Sequence, residues 1–199
     1  MECPPLNIHG LLERSEVNGP GVRAVIWLQG CDKRCPGCFN PDAQPLEPRR
    51  LMTPEQLFEW VRALEGVEGV TISGGEPFLQ ARPLGESLRL LRQQTDLSVI
   101  IYTGYRLEEA EQVEGGREVL ALTDVLIDGP YDQTQPASDG IRGSVNQRLH
   151  LLSERYHPGD FHIGLRFEIV IRSDGTVIKT GVSSGSERAD LPLPDRELP

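Results

Sequence analysis

The residues best suited to chemistry are three cysteines in one short loop, Cys31, Cys35 and Cys38. Thiolates are soft ligands that bind zinc or iron–sulfur clusters. A structural zinc site requires four ligands, and His9 and His150 lie far from this loop in the sequence. A [4Fe–4S] cluster normally takes four cysteines, so three thiolates would leave one iron open to a substrate or cofactor. The spacing therefore favours a cluster, with zinc as the alternative.

The residues around the three cysteines support a ligand loop. Pro36 and Gly37 indicate a tight loop and not a packed strand. Phe39 offers a ring on which an adenine can stack, although a lone aromatic side chain more often serves packing. Asn40 is either a ligand contact or the start of a turn. The fourth cysteine, Cys3, is isolated near the N-terminus, and we expect no role for it.

The elements that must position this loop alternate between strand and helix. Short apolar runs typical of strands buried in a parallel sheet occur at residues 23–29, 68–73, 97–102 and 124–127. Helical patterns lie between them, at residues 53–66, 83–94 and 107–113. Thr53 and Gln56 predict a capping box at the first helix. Strand–helix–strand alternation predicts right-handed crossovers and an α/β fold.

A polar or glycine-rich loop follows each predicted strand. Ligands bind at the carboxyl ends of parallel strands, so we expect these loops to form one site. Gly74 and Gly75 permit close approach of the backbone to a ligand. Glu76 supplies a carboxylate that can accept hydrogen bonds from an ammonium group, and Pro77 fixes the exit of the segment. The alternative for this segment is a tight turn from strand to helix.

Together these motifs carry a resemblance. The C-x3-C-x2-C loop, its following aromatic residue and Gly-Gly-Glu-Pro about 35 residues later resemble the radical S-adenosylmethionine (SAM) superfamily. More narrowly, the chain resembles the glycyl-radical-enzyme activases, and among them the activases of anaerobic ribonucleotide reductase. The segments that carry this second resemblance are residues 17–23, 103–105, 124–129 and 142–147. The similarity runs from about residue 7 to residue 156.

The resemblance implies a partial (β/α) barrel with a [4Fe–4S] cluster on the three cysteines. Its fourth iron would bind the amino and carboxylate groups of SAM, and one-electron reduction would yield a 5′-deoxyadenosyl radical. The cofactor-binding residues that the resemblance implies are Phe39, Asn40, Gly74, Gly75, Glu76, Pro77, Thr103, Gly104 and Asp128.

The resemblance also implies partners. The radical would abstract hydrogen from a glycine of a glycyl-radical enzyme, most plausibly an anaerobic ribonucleotide reductase, and a carrier such as flavodoxin or ferredoxin would donate the electron. The segment expected to line the groove for the partner's glycine loop contains Asn18, Gly19, Gly21 and Arg23. Two departures affect the partner assignment: Asp128-Gly129-Pro130 replaces the Asp-x-Lys of pyruvate formate-lyase activases, and Asn18 stands where those activases often have Asp.

The C-terminal part has a different pattern. Apolar residues alternate from Phe161 to Ile171, which predicts a strand with one buried face. A turn at residues 173–176 and a return over 177–182 predict a β-hairpin. We expect residues 1–182 to form one domain with this hairpin at its end, and the Ser-, Pro- and charge-rich residues 183–199 to be disordered.

Composition limits the partners and the location. The formal net charge is −10, so nucleic acid is a poor partner. No apolar run approaches the roughly 20 residues that span a bilayer, and the N-terminus lacks a signal-peptide pattern. We therefore expect a cytoplasmic enzyme that binds neither nucleic acid nor a membrane.

Two rival functions remain open. One is a radical SAM enzyme that acts on a peptide or a small molecule, for example a deazapurine precursor. The other is a non-enzymatic zinc- or cluster-binding module, which would have no use for the Gly-Gly-Glu-Pro segment at residues 74–77. Binding of SAM separates the second rival from the enzymes, and the identity of the hydrogen donor separates the first rival from the activase.

Overall fold

A seven-stranded mixed sheet dominates the computed structural model, which describes residues 3–161 and 167–182. Its strands are β1 (Leu6–Ser15), β2 (Arg23–Leu28), β3 (Arg50–Met52), β4 (Gly69–Gly74), β5 (Ser98–Thr103), β6 (Val125–Asp128) and β7 (Arg148–Leu151). Their spatial order is β3-β1-β2-β4-β5-β6-β7. The four central strands, β2, β4, β5 and β6, are parallel, which confirms the sequence prediction. The outer strands β1, β3 and β7 run antiparallel to their neighbours.

Helices connect the parallel strands. They are α1 (Pro54–Arg62), α2 (Ala81–Gln94), α3 (Leu107–Ala110) and α4 (Gly116–Ala121). Short 3₁₀ helices occupy Pro41–Ala43, Pro77–Gln80 and Pro158–Phe161. The third predicted helix was too long, because the chain turns at Gly115, where φ is +81°, and a separate α4 follows. No helix among residues 3–161 and 167–182 has both the length and the apolar character needed to cross a bilayer.

The predicted capping box starts α1. The Gln56 N–H donates to Thr53 Oγ1 at 3.2 Å, and the Thr53 N–H donates to Gln56 Oε1 at 2.9 Å. The apolar stripe of α1 contains Leu57 and Val61, and both side chains are buried in the main core beside α2 and the sheet. The crossover helices thus cover one face of the sheet and fix where each parallel strand ends.

A two-stranded sheet of β8 (Phe167–Ile171) and β9 (Val177–Gly181) follows the main sheet. The predicted burial of its alternating apolar face is wrong for the residues described: Phe167 is 43% exposed, Ile169 56% and Ile171 72%. The physical reason is that this sheet is attached through its other face and through polar contacts. Phe161 is buried, but in a 3₁₀ helix. Residues 163 and 165 of the predicted strand, and the predicted tail at 183–199, lie outside the described residues.

Candidate active site

The cysteine loop leaves the carboxyl end of β2 and is closed at its base by backbone hydrogen bonds. The Gly30 N–H donates to the Ala43 carbonyl at 2.7 Å, and the Cys31 N–H donates to the Gln44 carbonyl at 3.0 Å. Inside the loop the Cys38 N–H donates to the Cys35 carbonyl at 3.1 Å. The two ends of the loop are therefore held together, and the loop carries its three thiols above one end of the sheet.

All three thiols of the loop are partly buried and lie in the wall of one large cavity. The Asn40 N–H donates to Cys38 Sγ at 3.3 Å. Burial raises the pKa of Cys31, while hydrogen bonds from the Lys33 and Arg34 backbone act in the opposite direction. Burial likewise raises the pKa of Cys35. Backbone donors aimed at sulfur are what cluster-bound thiolates use, so this donor set fits an iron–sulfur cluster.

Three thiolates on one short loop suit an iron–sulfur cluster, because thiolates on a [4Fe–4S] cluster bind different irons and their sulfurs need not meet at one point. A structural zinc ion, by contrast, needs four ligands around one centre. Among residues 3–161 and 167–182, no three His, Cys, Asp or Glu side chains converge to hold one ion.

The loop after β4 packs directly against the base of the cysteine loop. The Gly75 N–H donates to the Leu28 carbonyl at 2.7 Å, and the Glu76 N–H donates to the Gly30 carbonyl at 2.8 Å. A Cβ on Gly75 would lie 2.2 Å from the Gly30 carbonyl oxygen, and one on Gly74 would lie 2.4 Å from the Leu28 nitrogen. Both glycines thus allow close contact within the chain, Gly74 with the end of β2 and Gly75 with the cysteine loop, and both also line the cavity.

The Glu76 side chain joins the loops after β4 and β5. It is 1% exposed. Its Oε1 accepts hydrogen bonds from the Phe78 N–H at 3.0 Å and from the Thr103 hydroxyl at 2.7 Å, and its Oε2 accepts one from the Gly104 N–H at 2.8 Å. Burial raises the pKa of Glu76 to about 7 against these three donors. A carboxylate has about four acceptor positions, so one remains for a donor in the cavity that Glu76 lines.

Phe39 and Asn40 also lie in the cavity wall, together with Thr103 and Gly104. The Phe39 ring packs on Tyr131, with centroids 4.5 Å apart and planes at 41°. A Cβ on Gly143 would lie 2.8 Å from Phe39, so that glycine makes room for the ring. Phe39 remains 48% exposed after these contacts.

Two expected cofactor residues are absent from the cavity wall. Pro77 is buried at the start of a 3₁₀ helix. Asp128 is fully buried, and its carboxylate accepts hydrogen bonds from the Leu107 N–H at 2.7 Å and from Arg148 Nε at 2.9 Å. His150 Nε2 lies 3.1 Å from the same carboxylate. The hydrogen bonds from Arg148 and the Leu107 N–H hold the pKa of Asp128 below its usual range against the effect of burial, and they make Asp128 a structural anchor of β6.

The cavity continues from the cysteine loop as a trough along the inner face of the sheet. Its volume is about 1730 Å³. The strand residues that line it are His9, Gly10, Leu11, Glu13, Trp27, Ser73, Gly74, Tyr102 and Thr103. Asn18 lines the trough beyond Leu11 and Glu13, away from the cysteine loop. We use the name trough for this cavity below.

Of the four residues named in the predicted docking segment, Asn18 lines the trough, whereas Gly19, Gly21 and Arg23 do not. Arg23 is 0% exposed and does not line the trough. Its guanidinium donates to Thr71 Oγ1 at 2.7 Å, Ser98 Oγ at 2.9 Å and the Tyr156 hydroxyl at 3.0 Å.

Gly19 and Gly21 do not line the trough. A Cβ on Gly19 would lie 2.6 Å from Ile100 Cδ1. Gly21 has φ +74°, and a Cβ there would lie 2.7 Å from the Glu68 carboxylate. Both glycines therefore serve the turn that leads into β2.

Sequence reasoning missed Lys33, Tyr105 and Tyr131 as parts of the site. The ammonium of Lys33 lies over the Tyr105 ring, and the Tyr105 hydroxyl donates to Asp32 Oδ2 at 3.1 Å. A weak signal was present for Lys33, because the chain has only two lysines and one is inside the cysteine loop. Tyr131 carried no local signal, since its partner Phe39 is distant in the sequence.

Comparison with known proteins gives a consistent picture. Residues 17–150 match the family model of the 4Fe-4S single cluster domain. The anaerobic ribonucleoside-triphosphate reductase-activating protein of Enterobacteria phage T4 is 31% identical over 67% of this chain and 86% of its own length. The protein of the same name from Vibrio cholerae is 32% identical over 73% of this chain and 97% of its own length.

Two more distant similarities accompany these matches. The pyruvate formate-lyase-activating enzyme of Clostridium pasteurianum is 33% identical over 60% of this chain and 50% of its own length. The crystal structure of QueE from Escherichia coli has a TM-score of 0.38 at 21% identity, covering 51% of this chain and 52% of that chain. That structural similarity is too low to assign the fold.

Proposed function

Because this chain belongs to the family of anaerobic ribonucleoside-triphosphate reductase-activating proteins, we propose that it installs a glycyl radical on an anaerobic ribonucleotide reductase. The chain is a radical SAM enzyme of the activating type, and its cofactors are a [4Fe–4S] cluster and SAM. The observation that carries the proposal is the placement of three cysteine side chains on a closed loop at one end of the trough, in contact with the loop after β4.

The three thiols are the proposed cluster ligands. Cys31, Cys35 and Cys38 would hold the cluster at the mouth of the trough. The bound cluster would supply the electron for reductive cleavage of SAM, and the hydrogen atom taken up in the reaction would come from the partner's glycine. With three thiolates from this loop, the cluster would keep a position open for SAM.

The loops after β4 and β5 are the proposed cofactor cradle. Glu76 fixes the Thr103–Gly104 backbone through two hydrogen bonds and keeps one acceptor position for the amino group of SAM. Phe39, held on one side by Tyr131, offers its exposed part to the adenine. Asn40 lines the same wall. These residues would exclude water from the part of the site where the reaction takes place, and they would orient the cofactor.

The sheet is the proposed partial (β/α) barrel of the radical SAM fold. The support is that β1, β2, β4 and β5 contribute residues to one cavity, as a concave sheet does. The volume of the trough, about 1730 Å³, exceeds the 300–1,000 Å³ typical of a site for one small molecule. A segment of a partner protein therefore has room beside SAM.

The electron source and the location are proposed from chemistry and charge. A small one-electron carrier such as flavodoxin or ferredoxin has access to the cysteine loop, since Asp32, Arg34 and Pro36 are exposed. The net charge of −10 argues against binding to nucleic acid. We propose that the enzyme works in the cytoplasm, without a membrane partner.

The test is anaerobic reconstitution with iron and sulfide, reduction by dithionite, and incubation with SAM and an anaerobic ribonucleotide reductase. We expect 5′-deoxyadenosine in the filtrate and a glycyl-radical signal on the reductase by electron paramagnetic resonance. Formation of 5′-deoxyadenosine with no radical on the reductase would refute the partner assignment. Absence of both products from a cluster-loaded protein would refute the radical SAM function itself.

A further inference from the structure

The sheet of β8 and β9, called here the C-terminal hairpin, lies outside the region that the family model matches. That model ends at residue 150, whereas the hairpin occupies residues 167–181. Nevertheless the hairpin is part of the site, because residues 172 and 174–182 line the trough. No role follows for it from the shared chemistry of the family, so its contacts must indicate what it does.

Specific polar contacts fix the hairpin to the rim of the trough. The Asn18 amide donates to Thr180 Oγ1 at 2.9 Å, and the Arg172 guanidinium donates to the Leu11 carbonyl at 2.7 Å. On the same side, the Glu16 N–H donates to a Glu168 carboxylate oxygen at 3.2 Å. The hairpin therefore has a defined position next to the strand residues that line the trough.

Cross-strand pairing shows which side chains share the face of the hairpin that contacts Asn18. Glu168 pairs with Thr180 and Val170 with Ile178, and side chains directly opposite each other share a face. Since Thr180 contacts Asn18, the inner face consists of these four residues. The outer face contains Phe167, Ile169, Ile171, Val177 and Lys179, with the Lys179 ammonium 5.0 Å from the Phe167 ring centroid. Ile178 is thus a half-buried apolar side chain that lines the trough.

The hairpin also presents one strand to the trough. Every residue of β9 lines the trough, whereas no residue of β8 does. A strand that lines a cavity can hold an extended peptide, which gains affinity from main-chain hydrogen bonds and specificity from side-chain contacts.

We propose that the C-terminal hairpin is the partner-recognition wall of this enzyme: an extended, glycine-bearing segment of the activated protein lies in the trough along β9 and contacts Ile178. This inference rests on the proposed function for the existence of such a partner. It assigns recognition to a structure outside the matched region, and it accounts for a trough that extends from the cysteine loop to Asn18.

The test compares Ile178→Asp with Ile169→Asp, the same substitution on the two faces of one hairpin. The probes are a synthetic peptide spanning the radical glycine of the anaerobic ribonucleotide reductase and the reductase itself. We expect Ile178→Asp to weaken peptide binding about tenfold or more, because a charge would face an apolar contact. Ile169→Asp should bind like the native protein, since Ile169 is 56% exposed on the outer face. Both variants should keep full iron content, and Ile169→Asp should also keep native SAM cleavage without partner.

Equal affinities for the two variants would overturn the proposal, as would equal losses. A photo-crosslinking side chain at position 178 provides a second test in case Ile178→Asp does not fold. At position 178 this group should capture the glycine-bearing peptide, and the same group at position 169 should not. Capture from position 169 alone would overturn the proposal. A native enzyme that cleaves SAM but activates no reductase would instead refute the proposed function, which the radical signal reports separately.

Discussion

The ammonium nitrogen of Lys33 lies 3.3 Å from the centroid of the Tyr105 ring. The same tyrosine donates its hydroxyl proton to Asp32 Oδ2 at 3.1 Å. Two consecutive residues of the cysteine loop that are not cysteines are therefore fastened to the loop after β5. This contact fixes the loop from the side opposite to its backbone closure at Gly30.

Replacement of Tyr105 tests this attachment. Tyr105→Leu removes both the cation–π contact and the hydrogen bond, whereas Tyr105→Phe removes only the second. A cation–π contact contributes about 0.5–2 kcal/mol, so we expect the leucine variant to lose its cluster to a chelator about threefold to tenfold faster than the native protein. The phenylalanine variant should be intermediate. The measurement is the decay of cluster absorbance under anaerobic EDTA, and equal rates in all three proteins would show that the contact does not hold the loop.

Iron content tests the ligand set. After anaerobic reconstitution we expect about four irons per chain, the content of one [4Fe–4S] cluster. Cys31→Ala, Cys35→Ala and Cys38→Ala should each abolish cluster absorbance, and Cys3→Ala serves as the matched control that retains it. Stoichiometric zinc in the native protein, or full iron content in Cys35→Ala, would contradict the assignment.

Glu76 makes binding of SAM dependent on pH. Burial raises the pKa of Glu76 to about 7, so this side chain is largely protonated in the empty site below that value. A bound ammonium group favours the carboxylate, and affinity should therefore rise with pH up to about 7 and level off above it. Below pH 7 the expected loss is up to about tenfold per pH unit, the limit for one linked proton. Calorimetric titration at several pH values measures it.

Thr103→Val provides the control for this pH dependence. The Thr103 hydroxyl donates to Glu76 Oε1 at 2.7 Å and stabilises the ionised form. Its removal should raise the pKa of Glu76 further, so the pH at which affinity levels off should move upward. A flat pH profile in the native protein, or an unchanged midpoint in Thr103→Val, would mean that Glu76 serves only as a brace between loops.

Substitution of Arg23 tests whether this residue stabilises the fold or binds the partner protein. Arg23→Lys cannot satisfy the acceptors now held by the guanidinium, which include Thr71, Ser98 and the Val70 carbonyl. We expect a loss of about 2–4 kcal/mol in the free energy of unfolding. Arg14→Lys, at an exposed arginine with one hydrogen bond to the Glu65 carbonyl, should cost little. Denaturant titration measures both, and a stable Arg23→Lys variant with weakened partner binding would restore the docking interpretation.

The Asp128→Asn variant tests whether Asp128 anchors strand β6 or binds the cofactor. The carboxylate is buried and accepts hydrogen bonds from Arg148 and Leu107. We expect the variant to lose about 1–3 kcal/mol of stability because charge-assisted hydrogen bonds weaken. Its affinity for SAM should be unchanged at a temperature where it is folded. A selective loss of SAM binding would place Asp128 in the cofactor site after all.

Local patterns predicted much of the fold. The four parallel strands and the capping box of Thr53 and Gln56 depend on residues close in sequence, and the structure confirms them. Ligands bind at the carboxyl ends of parallel strands, and this rule predicted that several loops would meet at one cavity. The loops that do so are at residues 30–40, 74–77 and 103–105. These inferences needed no knowledge of distant contacts.

The sequence predictions that failed concern contacts between residues that are distant in the sequence. Nothing near Arg23 shows that Ser98 and Tyr156 will surround it. Alternation in β8 identifies two faces, but it does not say which face is covered, and the face that contains Glu168 contacts the body of the protein. For Phe39, its ring contact with Tyr131 became visible only in the folded chain.

The 2.2 Å separation between a Cβ on Gly75 and the Gly30 carbonyl has a consequence for mutational surveys. In a saturation library, every replacement at position 75 would push apart the two loops and disturb the cysteines before any ligand is present. Intolerance at that position would thus report contact between main chains and would say nothing about methionine recognition. Screens for altered cofactor preference would gain more from varying Phe39 and Asn40, whose side chains can change without separating the loops.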